Sequence, residues 1–289
     1  MTLITLLIVL GLEFHFKIGS EYRDFSWFTK LRHYLSGLFA EQNFFESWGG
    51  VAIILLLPVV GVYALVSLFG GGLYWLVLFV VSVIVLFLTI GPTRLEDSFE
   101  AYFHSVEKDD YEAAGHHLNE INDSLKRIEK LEGNEQDEIV RAATRSILIE
   151  SHSRYFGVIS WFIFFGPFGA LFYRLAHLYR NACSEEGFNE HLPLLERLIH
   201  WIDWIPARIT GFLFMLTGDF VKGLYRIQDY LTDAEADNNQ LISETGIAAL
   251  ALDMGRSDGE IQENQLAMAM ANRTVIFYLV LGAVLSTLL

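Results

Sequence analysis

The sequence predicts an all-α polytopic integral membrane protein, and three observations support this fold class. Hydrophobic residues make up 53% of the 289 residues and charged residues only 19%, whereas soluble domains carry about 25% charged residues. Aromatic residues reach 14%, which suits a bilayer because Trp and Tyr concentrate at its interfaces. Several apolar runs approach the roughly 20 residues that cross the hydrocarbon core as a helix. We expect about four spans, re-entrant or interfacial helices and a cytoplasmic helical hairpin.

Residues 1–92 are predicted to form N-terminal membrane segments. Two candidate spans, Val51–Phe69 and Leu73–Ile90, contain no charged residue. The three glycines at residues 70–72 between them leave room only for a tight hairpin. Basic residues flank this pair of spans but are missing from its turn, namely Lys17, Arg23, Lys30, Arg32 and Arg94. Because basic residues mark cytoplasmic flanks, we expect residues 93–154 on the cytoplasmic side.

Residues 93–154 are predicted to contain two amphipathic helices. Apolar residues recur at spacings of three and four from Tyr111 to Leu131, which indicates one apolar stripe on a helix of roughly six turns. Gly133-Asn134 is expected to end this helix, and the apolar positions from Ile139 to Ile147 predict a second one. A short loop between them would let the two helices pack antiparallel.

Three further regions are predicted after the hairpin. Residues 155–227 hold an apolar run interrupted by Gly166 and Pro167, so we expect a broken or re-entrant helix. The backbone polar groups at the break would need hydrogen bonds from protein or from water in a cavity. Residues 228–273 form an acidic soluble segment, with nine acidic residues and one basic residue up to Asn272. Residues 274–289 are a short C-terminal membrane segment that needs tilt or local bilayer thinning.

Several classes of function find no support in this sequence. The net charge of −15 argues against nucleic-acid binding, which needs a basic face. The motifs of phosphate loops, serine nucleophiles, zinc peptidases and paired cysteines are missing from the sequence. Within one turn, His116, His117 and Glu120 could chelate a metal, but they avoid the apolar stripe, and we interpret them as a solvated helix face. We predict no metal and no cofactor.

Charged residues at the edges of the apolar runs are the candidate ligand-binding residues. An ionisable group near hydrocarbon needs a partner or a polar cavity, which makes it a functional candidate. Glu150 and Arg154 are spaced i to i+4, so they share a helix face; the alternative is an interfacial belt whose arginines reach water. The full candidate set is Arg94, Glu150, His152, Arg154, Tyr173, Arg174, Asp203 and Arg208. Glu150 is the one candidate for a catalytic role.

Arg208 has its own structural prediction. Pro206 favours a helix start, which would place Arg208 in the first turn with Asp203 nearby as a cap or partner. A guanidinium fork prefers carboxylate or phosphate, so Arg208 is a candidate for binding an anionic ligand. The alternative is an Asp203–Arg208 pair that only fastens the helix to its neighbour.

Three segments of the sequence resemble the AmpE family, namely MTLITLLIVLGLEFHFKIG, GPFGALFYRLAHLYR and WIDWIPARITGF. The resemblance covers nearly the whole chain. It implies a multi-pass protein of the bacterial inner membrane, encoded beside an anhydromuramyl-amidase of peptidoglycan recycling and linked to control of β-lactamase induction.

The AmpE family is in turn similar to the CobD/CbiB membrane proteins of cobalamin biosynthesis, which join an aminopropanol unit to a corrinoid carboxyl group. The segments that carry this second resemblance are Lys108–Ala114, Glu150, Gly157-Val158, Gly166-Pro167, Tyr173-Arg174 and Trp204–Thr210. The Asn and Asp of the family signature are replaced here within Ser153-Arg154-Tyr155-Phe156, and the polar run of the enzymes reads Ala176–Arg180. The resemblance therefore implies an inherited scaffold and pocket without the corrinoid amide synthesis.

The leading hypothesis is a regulatory membrane protein that modulates β-lactamase induction, an antibiotic response to cell-wall stress. It would act through a small anionic ligand, or through a signalling or cell-wall-recycling protein partner, at a CobD-like cleft. One alternative is a membrane enzyme on the same scaffold that performs an amide-forming condensation or transfer on another small substrate. A second alternative is a membrane scaffold or assembly partner.

Overall fold

The computed structural model describes residues 2–15, 24–39, 42, 44–69, 71, 73–90, 95–125, 136–186, 190–251 and 261–288. These ranges contain helices and turns and no strand, which confirms the all-α prediction. The helices are α1 (Thr2–His15), α2 (Ser26–Leu38), α3 (Trp48–Ser67), α4 (Leu73–Thr89), α5 (Leu95–Val106), α6 (Tyr111–Leu125), α7 (Gln136–Ser151), α8 (Gly157–Glu186), α9 (Leu192–Thr217), α10 (Phe220–Ile227), α11 (Asn238–Ala249) and α12 (Ile261–Leu288). Between α7 and α8, residues His152–Phe156 form a π-helical turn.

Three helical stretches of the described chain are long and apolar enough to cross a membrane, namely Trp48–Ser67, Gln136–Ser184 and Gln262–Gly282. Thr2–Leu12 and Leu73–Thr89 are shorter apolar helices. The chain is therefore an integral membrane protein. The predicted spans of the first hairpin coincide with α3 and α4. In their connection, Gly71 has a φ of 71°, a left-handed conformation that glycine adopts without steric cost.

The chain divides into two compact units, each built from separate stretches of sequence. The first unit contains Met1–Pro92, Val158–Ile202 and Gly282–Leu289. In this unit α4 contacts both α1 and α3, and α2 contacts α3. His191, which precedes α9, donates from Nε2 to the carbonyl of Phe45 at 2.6 Å, so the start of α9 is fastened to the turn that precedes α3.

Helix α8 changes direction at Gly166, as the sequence predicts. This residue has φ 63° and ψ −151°, whereas its neighbours are helical. That region of conformational space is open almost only to glycine. Pro167 follows and has no N–H to continue the hydrogen-bond ladder. The predicted broken helix is confirmed, and its cause is this Gly-Pro pair.

The prediction that Pro206 begins a helix is wrong. Helix α9 begins at Leu192 and continues through Pro206 to Thr217. A proline inside a helix leaves the carbonyl four residues earlier without its N–H donor. The indole of Trp161 supplies the replacement, because its Nε1 donates to the Ile202 carbonyl at 3.0 Å. A distant side chain therefore stabilises the helix that the local sequence would end.

The second unit contains Thr93–Gly157 and Asp203–Leu281. Helix α6 packs on α5 and α7, while α11 packs on α7 and α10. The described part of the predicted hairpin is helical as expected, and the predicted stop at Gly133-Asn134 lies outside the described residues. Helix α12 begins at Ile261, well before the predicted apolar segment at residue 274.

A buried amide explains why α12 extends into this polar sequence. The Asn264 side chain accepts from the Tyr102 hydroxyl at 2.8 Å. It donates to the Val140 carbonyl and to the Thr144 hydroxyl, both at 2.9 Å. These bonds connect α12 to α5 and α7. Polar groups that are buried and fully bonded specify one packing arrangement, because leaving any of them unpaired is costly.

Candidate functional site

The π-helical turn at His152–Phe156 lies within the second unit, and its side chains are all buried. The Gly157 N–H closes the turn by donating to the His152 carbonyl. Such π-turns are rare and occur frequently at functional sites, because they insert an extra residue and redirect the side chains around it. The turn falls on the charged stretch that the sequence singles out.

Glu150 and Arg154 form a buried ion pair. Arg154 Nε donates to Glu150 Oε2 at 3.0 Å, and their side chains are only 9% and 2% exposed. The Ser153 hydroxyl donates to the other carboxylate oxygen at 3.1 Å. The predicted i to i+4 pairing is confirmed. The burial of Arg154 does not fit the alternative of an arginine that extends along the surface to water.

His152 connects the π-turn to α9 and α12. Its Nδ1 lies 2.9 Å from the Thr210 hydroxyl, which lies 2.9 Å from the Tyr278 hydroxyl. One consistent assignment has Tyr278 donate to Thr210 and Thr210 donate to Nδ1, which places the imidazole proton on Nε2. Nε2 lies 3.4 Å from Asp203 Oδ1, yet the orientation is not that of a hydrogen bond, and Nε2 has no hydrogen-bond partner among the described residues.

Aromatic rings enclose this polar group. Phe156 stacks on Tyr278 with centroids 4.9 Å apart and planes 4° from parallel, and Phe214 contacts Phe156 edge-on at 5.8 Å. The polar side chains themselves are buried, and electrostatic interactions are stronger at buried positions than in water. We call Glu150, His152, Ser153, Arg154, Asp203 and Thr210 the π-turn cluster.

Arg208 lies outside this cluster's hydrogen bonds, because the chain itself occupies its donors. Its Nη2 donates to the carbonyls of Tyr230 and Asp233 at 2.9 and 2.8 Å. Its Nη1 donates to the Trp204 carbonyl at 3.0 Å and to Asn238 Oδ1 at 3.2 Å. Nε donates to the Leu231 carbonyl at 3.4 Å.

The contacts of Arg208 thus fasten the segment at residues 230–238 to α9. Its guanidinium also lies 3.9 Å from the centroid of the Trp204 ring, a favourable cation–π distance. Five N–H donors and five bonds leave no donor for an external anion in this arrangement. Ligand binding at Arg208 stays a prediction, and the geometry favours a fastening role through carbonyls rather than through Asp203.

A second charged group holds the same segment. The Glu244 carboxylate accepts from the Tyr230 hydroxyl and pairs with Arg226 Nη2, both at 2.6 Å. Burial alone would raise the pKa of Glu244, but hydrogen bonds from Tyr230 and Gln240 and the charge of Arg226 hold that pKa below its usual value. Burial, then the bond to Glu244, raises the pKa of Tyr230 to about 12.

The other predicted residues are distributed as follows. Arg94 lies outside the described residues. Tyr173 and Arg174 belong to the first unit, where the fully buried Tyr173 ring lies 4.4 Å from the His177 ring. His116 and His117 are on α6, with Nδ1 atoms 3.6 and 3.3 Å from the Glu120 carboxylate. The His116 side chain is exposed and that of His117 is half-buried, which is consistent with a solvated helix face.

The hydrogen-bonded series from His152 to Tyr278 contains two residues that the sequence does not predict as site residues, namely Thr210 and Tyr278. Thr210 belongs to the Trp204–Thr210 segment that carries the second resemblance, so that segment contained a signal. Tyr278 lies in an apolar run and carries no such signal.

Comparison with known proteins places the whole chain in one family. Residues 1–288 match the family model described as "Regulatory signalling modulator protein AmpE". "Protein AmpE" of Shigella flexneri is 24% identical over 292 residues, which covers 99% of this chain and 98% of that protein. "Cobalamin biosynthesis protein CobD" of Chromobacterium violaceum is 25% identical over 184 residues, 61% of this chain and 55% of that protein. No solved structure matches the chain significantly.

Proposed function

This chain belongs to the AmpE family of regulatory signalling modulators, and we propose that it modulates β-lactamase induction from the bacterial inner membrane. The proposed signal is a small anionic ligand that binds at the π-turn cluster. The family match supports the regulatory part of this proposal. The geometry of the second unit supports the ligand.

The observation that carries the ligand proposal is the buried Nε2 atom of His152. The residue is only 2% exposed, and Nε2 has no hydrogen-bond partner among the described residues. Asp203 Oδ1 lies 3.4 Å from Nε2 without forming a hydrogen bond, and a buried donor that makes no hydrogen bond costs about 1–3 kcal/mol. An acceptor oxygen of an anionic ligand would recover that energy, and Arg154 of the same π-turn carries a positive charge that would attract an anion.

Competition between the ligand and Glu150 would supply the regulatory step. Glu150 accepts from Arg154 and Ser153 in this structure. A ligand carboxylate or phosphate bound to Arg154 would weaken that pair and favour a different arrangement of the π-turn. A ligand shifts a conformational equilibrium only by its difference in affinity between the two states. We propose that the π-turn supplies the second state by converting locally to regular α-helix.

Charge-neutral variants test this proposal in an induction assay. A deletion strain carries each variant at equal membrane abundance, and β-lactamase activity is measured before and after inducer. We expect E150Q and R154Q to change the induction ratio by about tenfold, the effect of losing about 1.4 kcal/mol. The matched controls E120Q and R141Q change exposed residues of the same unit and should behave as wild type. Wild-type induction in both E150Q and R154Q would refute the proposal.

A catalytic function is the second candidate, and one observation favours it. Thr210, His152 and Asp203 follow one another as hydroxyl, imidazole and carboxylate. A rotation that brings Nε2–H onto Asp203 would complete the arrangement of an activated nucleophile with its base and orienting acid. The partial match to CobD is consistent with a membrane enzyme. This candidate predicts that one metabolite accumulates in a deletion strain and that T210V fails to restore its level. Unchanged metabolites in the deletion strain would argue against it.

A further inference from the structure

A groove of about 530 Å³ in the first unit is separate from the π-turn cluster. Its walls are formed by α2 and the two residues before it, by α3 and α4, and by one residue of α8, and its lining is mostly apolar. Pro58, Gly61 and Leu65 line one side, and Val81, Ile84 and Leu88 line the other. Ligand pockets in proteins span roughly 300–1,000 Å³, so the groove is large enough for an extended organic chain.

The groove is a consequence of the sequence of α3. Gly61 lies about one turn after Pro58, and a Cβ added at Gly61 would meet no atom within 4 Å. Leu65 and Ile84 are each 51% exposed, so the groove opens to the outside of the chain along two apolar helices. Around membrane-spanning helices that outside is hydrocarbon, and atoms that line an unfilled gap lose dispersion contacts.

The groove lining includes Asp24, and Lys30 is close enough to Asp24 to act on it electrostatically. The Asp24 carboxylate accepts from the Ser26 N–H and hydroxyl, both at 2.7 Å. These bonds, together with the positive charge of Lys30, hold the pKa of Asp24 below its usual value. Asp24 and Lys30 are both exposed. Trp27, which is 44% exposed, lines the groove beside them, as is typical of aromatic residues at a membrane interface.

We propose that this groove binds a single phospholipid with an ethanolamine head group. One acyl chain lies between α3 and α4 against Gly61, the ammonium group lies on Asp24, and the phosphate lies on Lys30. The charges favour a zwitterionic head group over an anionic one, because an anionic head group has no cation to offer Asp24. Ethanolamine is favoured over choline, since only its ammonium has N–H donors for a carboxylate.

Native mass spectrometry of the full chain tests the proposal. The protein is reconstituted in nanodiscs that contain equal parts phosphatidylethanolamine, phosphatidylcholine and phosphatidylglycerol, and retained lipids are counted after mild activation. We expect one retained phosphatidylethanolamine. G61L fills the groove and should lower that retention about tenfold, the effect of losing about 1.4 kcal/mol. G37L is the matched control, because a Cβ at Gly37 also meets no atom within 4 Å and Gly37 does not line the groove.

Two further measurements keep the test decisive. D24N should abolish the preference for ethanolamine. One lipid is still retained, but it carries any of the three head groups. If G61L does not fold, quenching of tryptophan fluorescence in the wild-type protein by a lipid with a brominated acyl chain replaces it. The difference between wild type and W27F gives the quenching of Trp27. Equal retention of the three lipids by wild type, or no quenching of Trp27, would overturn the proposal.

Discussion

Replacement of Arg208 by lysine is the sharpest test of how the second unit is held together. Lysine keeps the positive charge but has three donors in place of five and no planar fork. At least two of the bonds to Trp204, Asn238 and the carbonyls of residues 230–233 are then lost. Each bond from a charged donor contributes about 1.5–3 kcal/mol, and the stacking on Trp204 about 0.5–1 kcal/mol more. We expect R208K to lower the free energy of unfolding by about 4 kcal/mol.

Thermal unfolding in detergent measures this loss. About 4 kcal/mol corresponds to a fall in Tm of roughly 8–16 °C for a chain of this size class. R273K is the matched control, because exposed Arg273 donates from Nε to one carbonyl of its own helix at 3.3 Å, and we expect almost no change. A fall in Tm that is the same in R208K and R273K would refute the fastening role of Arg208.

Three other substitutions test the fold. N264A removes an amide that bonds Tyr102, Val140 and Thr144, and we expect a loss of about 2–4 kcal/mol in chemical unfolding. G166A should cost about 1–3 kcal/mol in the same assay, since only backbone strain opposes the added methyl group. Glu244 has a lowered pKa in the folded state, so its contribution is fully present above the ordinary value of 4.5 and is lost as pH falls through the folded value. The Tm difference between wild type and E244Q should therefore shrink as the pH falls below 4.5, and a difference that grows on acidification would contradict this assignment.

The spans, the broken helix and the ion pair could be predicted because each depends on local sequence. Composition identifies α3 as a helix long enough to span a membrane and α4 as a shorter apolar helix. The Gly166-Pro167 pair identifies the break in α8, and the four-residue spacing places Glu150 beside Arg154. These features need no knowledge of the rest of the chain. The same local rules fail at Pro206. The proline leaves the Ile202 carbonyl without its helical N–H donor, and the indole of Trp161 donates to that carbonyl in its place.

The arrangement of the site could not be predicted from local rules. His152 meets Asp203, Thr210 and Tyr278, which lie on helices far away in sequence. Three of the four carbonyls to which Arg208 donates, those of Tyr230, Leu231 and Asp233, belong to a segment of turns with no recognisable motif. A π-turn has no sequence signature of its own, so the local geometry around His152 emerges only from the folded chain.

The most direct test of the proposed function is an experimental structure of the protein purified from its native membrane without added ligand. Our proposal predicts density for a small acidic molecule, with an oxygen within hydrogen-bond distance of His152 Nε2 and close to the Arg154 guanidinium. A structure with no such density, in which Nε2 bonds directly to Asp203 and the Glu150–Arg154 pair is unchanged, would contradict it.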